Sequence, residues 1–331
     1  VALFQRKHAE PGDASAVAVA DNSPAAPAEA TPDKGASNFR LYIPIVGVLL
    51  GIALLLYPVF ATRHNDVVQQ QQSNNYSIEV NGIPSETLAE ELAAADTYNE
   101  DLRQGVILDP FIKDVAPDSE QYQAYLKYLD LTDVMSLVRV PAADVNLPVY
   151  HGTFDDTLQK GVGHLFGSSL PVGGDSSHSI LTGHTGLPNA TMFDNLTKVK
   201  EGDAIYLNTA NRALKYVVND IRVVEPSNVD TLGRVEGKDL LTLITCTPYG
   251  VNSHRLLITG ERVPLDDIEE QAVKQIEEPK AHWSWWMFVL LGGAILSAIL
   301  MFGAIIRLWL LMRRSNEDKK DAERAPHPEN S

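Results

Sequence analysis

Two apolar stretches without a single charge, residues 41–61 and 285–306, constrain this chain more than any other feature. Each is long enough to cross a hydrocarbon core of ~30 Å as a helix, so an integral membrane protein with two spans is expected. The other reading of the first stretch is a cleaved signal peptide. Against it stand an apolar core longer than an h-region and the long tail that precedes it. Lys34 and Arg40 lie before the first span, and Arg313, Arg314, Lys319 and Lys320 follow the second. The excess of basic residues on these flanks predicts that both termini are cytoplasmic and that residues 62–282 face outward. Trp283, Trp285 and Trp286 read as an aromatic belt at the outer interface, and Arg307 lies near enough to the basic flank to snorkel.

Composition narrows the function of the outer part. A formal net charge of −16 with no Lys/Arg-rich block argues against nucleic-acid binding as the main business. The one cysteine, Cys246, has no partner within the chain for a disulfide, which leaves the thiol for another use.

Along the chain, residues 1–40 are rich in Ala, Pro, Asp and Ser and read as a disordered cytoplasmic tail ahead of the span 41–61. Residues 62–133 read as an outer spacer and a helical extension. The glutamine run Gln69 to Gln72 belongs to a solvated juxtamembrane piece, and helices are expected over 85–104 and 117–129. Strands are expected over 135–140, 145–150, 179–182, 204–207, 214–224, 240–245 and 255–262, with short helical turns at 155–159 and 192–196. Many short strands divided by Gly, Pro, Asn and Asp predict a mainly β domain over 134–264, closed or nearly closed into a barrel. A linker over 265–284, the second span and its inner flank over 285–312, and a charged tail over 313–331 complete the chain.

The stretch around Cys246 invites a chemical reading. A buried strand ends at the cysteine, Pro248, Gly250 and Asn252 break it, and an apolar segment resumes after His254. So short a connection implies antiparallel neighbours, with Arg255 close to the thiol. A nearby cation favours the nucleophilic thiolate, although a lone cysteine is as often an inert core residue and a lone arginine a surface one. His184 follows a short apolar strand inside a glycine-flanked turn and suits either a catalytic base or a structural loop. Asp109-Pro110-Phe111 reads locally as a connector between helices. The glycines between Gly161 and Gly174 fit no phosphate-binding pattern, and His151, His164, His178 and His184 lack metal-ligand spacing. No cofactor and no metal are expected.

Taken together, these residues resemble the sortases, membrane-bound cysteine transpeptidases of Gram-positive bacteria. Thr242-Leu243-Ile244-Thr245-Cys246 matches the family's TLxTC signature, Arg255 falls at the spacing of its essential arginine, and His184 lies in its histidine loop. Tyr150-His151-Gly152-Thr153, Gly161-Val162-Gly163-His164-Leu165, Ser169-Leu170-Pro171-Val172-Gly173-Gly174 and Cys246-Thr247-Pro248-Tyr249-Gly250-Val251-Asn252 look like class C, the pilus-assembling sortases. Asp109-Pro110-Phe111 matches that class's lid motif.

The resemblance, over about 85–262, implies a sortase-like barrel of about eight strands with an N-terminal helical lid extension. It implies that Cys246 attacks an LPxTG-like sorting signal between Thr and Gly. The partners it implies are pilin subunits bearing such signals, and pilin lysines that accept the acyl group. His184 would be the acid and base, and Arg255 the donor to the oxyanion. Competing expectations are a housekeeping sortase that uses a peptidoglycan amine, an exported cysteine protease, and a scaffold without activity.

Overall fold

A computed structural model describes residues 34–102, 116–226, 232–274 and 283–324. The chain divides at Gly47, and the described part of the first unit is the opening of helix α1, Lys34–Gly82. In the second unit, α2 (Ser85–Asp101) and α3 (Glu120–Tyr125) precede the β-strands. The strands are β1 (Ser136–Val140), β2 (Val145–His151), β3 (Val162–His164), β4 (Ser177–Thr182), β5 (Ala204–Thr209), β6 (Arg212–Val224), β7 (Asp239–Thr247) and β8 (His254–Val263). Helix α4 (Asp155–Leu158) lies between β2 and β3, and α5 (Asp267–Lys274) and α6 (Trp285–Arg324) follow β8.

The eight strands close into a barrel in the order β1-β2-β3-β4-β7-β8-β6-β5, with β5 returning to β1. Closure leaves no free sheet edge among the described strands. Two neighbours are parallel, β2 with β3 and β4 with β7, and the others antiparallel. Alternation along each strand sends one set of side chains inward. Leu181, Leu241, Leu243, Leu256 and Ile258 join the main core with Val138, Ile205, Leu207 and Tyr216. The opposite set, Ile180, Ile244 and Leu257, packs under Leu165 and Leu232 as a small second cluster.

Strand β3 was not among the strands expected. It is three residues long and contains a glycine, so neither length nor alternation marks it. Its Gly163 is there for closeness of approach: a Cβ at that position would collide with the Gly152 carbonyl.

Helix α1 corrects a second expectation. The spacer with the glutamine run is not a separate piece, because α1 continues unbroken through it to Gly82, and only one of its faces is solvated: Gln71 and Gln72 are exposed while Gln69 is buried. Thr62, Gln69, Ser73, Tyr76, Ser77 and Val80 are all buried, at spacings that keep them on one helix face. The Tyr76 hydroxyl accepts the Ala210 N–H at 2.8 Å and donates to the Met135 carbonyl at 3.3 Å. Toward the C-terminal side, α6 runs to Arg324, past the expected start of the charged tail at 313, with Arg313 and Glu317 paired one turn apart at 3.3 Å. Of the disordered tail expected over residues 1–40, residues 34–40 are instead the opening of α1, and residues 1–33 lie outside the described residues.

Helices α2 and α3 explain three of the sequence stretches singled out above. Asn99 of α2 is buried; its amide donates to the carbonyls of Leu170 and Gly173 and its oxygen takes the Leu170 N–H at 2.7 Å. Asp96 holds Arg212 through two bonds, 2.6 and 2.9 Å. Tyr125 of α3 is fully buried, with its hydroxyl 2.8 Å from His164 Nδ1 and accepting the Gly152 N–H at 3.2 Å. The stretches around Gly152, His164 and Leu170 are thus where the helical extension docks on the barrel.

Candidate active site

The geometry of the site is set by three strands. In the antiparallel pair β7–β8, Cys246 lies directly opposite Arg255, Ile244 opposite Leu257 and Thr242 opposite Thr259. Residues opposite one another share a face, so the thiol and the guanidinium stand on the side of the small apolar cluster, away from the main core. Val224 of β6 is the partner of Arg255 on its other side. Arg255 is only 9% exposed, and its Nη1 reaches the carbonyls of Asn252 and His254, each at 3.4 Å.

His184 is brought to the same end of the sheet by the parallel pairing of β4 with β7, which ends with Thr182 opposite Ile244. The next residue continues the contact: Gly183 N–H donates to the Ile244 carbonyl at 3.1 Å, and Thr245 Oγ1 donates to the Gly183 carbonyl at 2.7 Å. Thr185 Oγ1 lies 2.5 Å from Thr245 Oγ1. Thr245 therefore staples the two strand ends one residue before Cys246 and one residue before His184. Both of these residues are half-buried.

Behind the staple, Phe193 is fully buried and donates its N–H to the His184 carbonyl at 3.1 Å. A Cβ on Gly183 would sit 2.6 Å from the Phe193 ring, so only glycine lets the ring and the loop approach this closely.

The matches to known proteins follow this geometry. A sortase-domain family model matches residues 138–263. Sortase A of Staphylococcus aureus is 35% identical over 146 residues, 43% of this chain and 69% of that protein. The chain belongs to the sortase family. Sortase C-1 of Actinomyces oris is 59% identical in a crystal structure, with a TM-score of 0.53 over 54% of this chain and 99% of that one. Sortase C of Streptococcus pneumoniae is 41% identical, with a TM-score of 0.53 over 56% of this chain and 93% of that one. The sortase is accordingly a cysteine transpeptidase.

The hydrogen bonds separate His184 from the other histidines near the barrel. His164 Nε2 faces the Ser169 carbonyl at 2.8 Å and must carry the proton, leaving Nδ1 to accept from Tyr125; burial holds its pKa down at about 4. His178 Nδ1 donates to the Gly233 carbonyl, its Nε2 accepts from Thr242, and burial lowers its pKa too. His151 Nε2 donates to the Tyr128 carbonyl at 2.7 Å. His254 lies opposite Thr247 and so points to the other face from Cys246. His184 lies at the strand end stapled to that of Cys246, its pKa lowered by burial, with the negative charge of Asp155 opposing that shift.

Sequence reasoning named Cys246, His184 and Arg255, which the sortase brings to one end of the sheet. Asp109, Pro110 and Phe111 lie outside the described residues. It missed Thr245 and Thr185 as the staple, and it missed Asp194. The Asp194 carboxylate accepts the Gly186 N–H at 2.7 Å, two residues beyond His184. Burial pushes its pKa up to about 7; the Gly186 bond opposes this, and the charge of Asp66 adds to it.

That shift has a definite sign for stability. A carboxyl with a folded-state pKa above its unfolded value contributes stability that is complete below pH ~4 and is lost as pH rises through ~7. Asp194→Asn keeps an oxygen for the Gly186 N–H and carries no charge. It should be more stable than wild type at pH 8 by on the order of 2 kcal/mol, discounted for partial exposure, with the difference shrinking toward pH 4. Thermal midpoints at the two pH values check this, and an offset that is the same at both contradicts it.

Proposed function

We propose that this sortase is a class C enzyme that polymerises pilin subunits outside the membrane, with Cys246 as its nucleophile. The observation that carries the reading is the pairing of Cys246 with Arg255 beside a histidine loop stapled to the same strand end. A Streptococcus pneumoniae neighbour described as a sortase C with pilin substrate specificity supports the choice of substrate. Two helices long and apolar enough to cross a membrane, one at each end of the catalytic domain, fit an enzyme anchored at both ends with both termini inside.

In the first half-reaction, neutral His184 takes the thiol proton as sulfur attacks the Thr carbonyl carbon of an LPxTG-like sorting signal. Arg255 donates to the oxyanion, and the His184 imidazolium then protonates the Gly nitrogen as the C–N bond breaks. A thioester to Cys246 remains, and the C-terminal tail leaves as an amine. In the second, a pilin lysine amine attacks the thioester carbonyl and gives its proton to His184. The collapse expels the Cys246 thiolate, which is reprotonated, and leaves an isopeptide bond. The lowered pKa of His184 suits this cycle, because the neutral imidazole needed at the start of each half is the dominant form at neutral pH.

The class C reading also assigns a lid to Asp109, Pro110 and Phe111, with Asp109 approaching Arg255 and Phe111 covering Cys246. Asp109→Ala/Phe111→Ala should label faster with a thiol reagent than wild type. Equal labelling rates in the folded double variant would sink the lid.

The function itself is tested with a sorting-signal peptide, with and without a pilin domain carrying the acceptor lysine. The expected product is an isopeptide-linked conjugate formed only when the acceptor is present. Cleavage to the free acid alone, at the same rate with and without acceptor, would overturn the assignment.

A further inference from the structure

The loop between His184 and Asp194 has little regular structure of its own; its limb 188–192 is held by α1. Thr62 Oγ1 donates to the Pro188 carbonyl at 3.3 Å and Asn65 Nδ2 to the Asn189 carbonyl at 2.8 Å. Asp66 accepts the Thr191 N–H at 2.9 Å and the Thr191 hydroxyl at 2.7 Å, and Gln69 Nε2 lies 2.9 Å from Met192 Sδ. These four residues occupy successive turns of one helix face, directly beyond the apolar stretch that ends at Ala61. Asp66 is the only charged member, and it makes the only twofold contact. Charge-assisted bonds of this kind are the stronger ones.

The hold reaches His184 in two steps. Thr191 is two residues from Phe193, whose N–H fixes the His184 carbonyl and whose ring abuts Gly183. Thr191 also accepts the Asp194 N–H at 3.0 Å, and the Asp194 side chain takes the Gly186 N–H on the far side of the histidine.

We propose that Asp66, on the continuation of the membrane-spanning helix, is a positioning residue for His184, acting through Thr191. The helix that anchors the enzyme then also sets the catalytic loop. Removing the carboxylate frees the limb that supports Phe193 and lets the imidazole wander from the thiol. Loss of positioning lowers kcat while the surface that binds the peptide is untouched.

This rests on His184 being the acid and base, so the test includes that residue. The full chain in detergent micelles is assayed with the sorting-signal peptide and acceptor. Asp66→Ala should lower kcat about tenfold and leave KM within about twofold. Asp66→Asn keeps an oxygen for the Thr191 N–H and should recover most of the loss. Asn81→Ala, which removes an α1 contact of similar kind with Asn211 elsewhere on the barrel, should keep wild-type kcat.

If Asp66→Ala does not fold, Thr191→Val, which replaces the hydroxyl with a methyl and keeps the N–H bond to Asp66, decides the matter with an expected loss of about threefold. Wild-type kcat in folded Asp66→Ala, or in Thr191→Val where that variant decides, overturns the positioning role. Equal losses in Asp66→Asn and Asp66→Ala overturn it as well. Wild-type kcat in His184→Ala would instead overturn the active-site reading beneath it, and the proposal with it.

Discussion

Arg255→Lys should keep the fold and lose about 10²–10³-fold in kcat on a sorting-signal peptide, close to the loss in Arg255→Ala. The reason lies in the role proposed for the guanidinium as donor to the oxyanion. It stands opposite Cys246, almost buried, with the carbonyls of Asn252 and His254 occupying one of its nitrogens. A planar fork fixed in this way presents its donors in set directions, whereas an ammonium on a flexible stem supplies charge without direction. If the positive charge alone lowered the barrier, lysine would restore most of the rate. A loss of ~3–4 kcal/mol is typical for one oxyanion donor, and it should appear in kcat more than in KM. An Arg255→Lys enzyme within about fivefold of wild type would show that Arg255 acts only as a charge beside the thiol.

Gly183→Ala is the second change with a large expected effect. The added methyl would meet Phe193 ring atoms at 2.6 and 2.8 Å, and the ring has nowhere to retreat because it is fully buried in the main core. Overpacking of this kind costs ~1–3 kcal/mol. The relief available is a shift of the loop, and the next residue in the loop is His184. A displacement on the order of 1 Å is enough to cost ~10²-fold in rate, so activity should fall further than stability. Adding Phe193→Leu should recover part of both. A Gly183→Ala enzyme with unchanged thermal midpoint and kcat would refute this account of the glycine.

The sequence disclosed some of these features and hid others for physical reasons. Cys246, Arg255 and the turn between them were legible because a buried strand, its breakers and the next strand lie within one short segment, and local spacing fixes their pairing. His184 was placed by its family match, since the contact between β4 and β7 is parallel and spans more than sixty residues. Hydrophobic patterning could not mark β3, which is too short to alternate.

Helix α1 beyond Ala61 was misread because its buried face is polar. Thr62, Asn65, Asp66, Gln69 and Ser73 bond main-chain carbonyls, an N–H, a hydroxyl and a thioether sulfur, so a scan for apolar stripes sees only a solvated glutamine run. Asp66 and Asp194 belong to no motif and become visible only when Thr191 and Gly186 are seen beside them. The stretches at Gly152, His164 and Leu170 stood out in the sequence only by their resemblance to class C, and on the barrel they are where α2 and α3 dock.

The central claim is that Cys246 carries the acyl group. Intact-mass spectrometry of the full chain, quenched during turnover of an LPxTG-containing peptide, measures this directly. The account predicts one adduct equal to the peptide through its threonine less one water, released by hydroxylamine and mapped to the chain's only cysteine. Peptide turnover by Cys246→Ala, or turnover by wild type with no thiol-linked acyl group at any time, would contradict it.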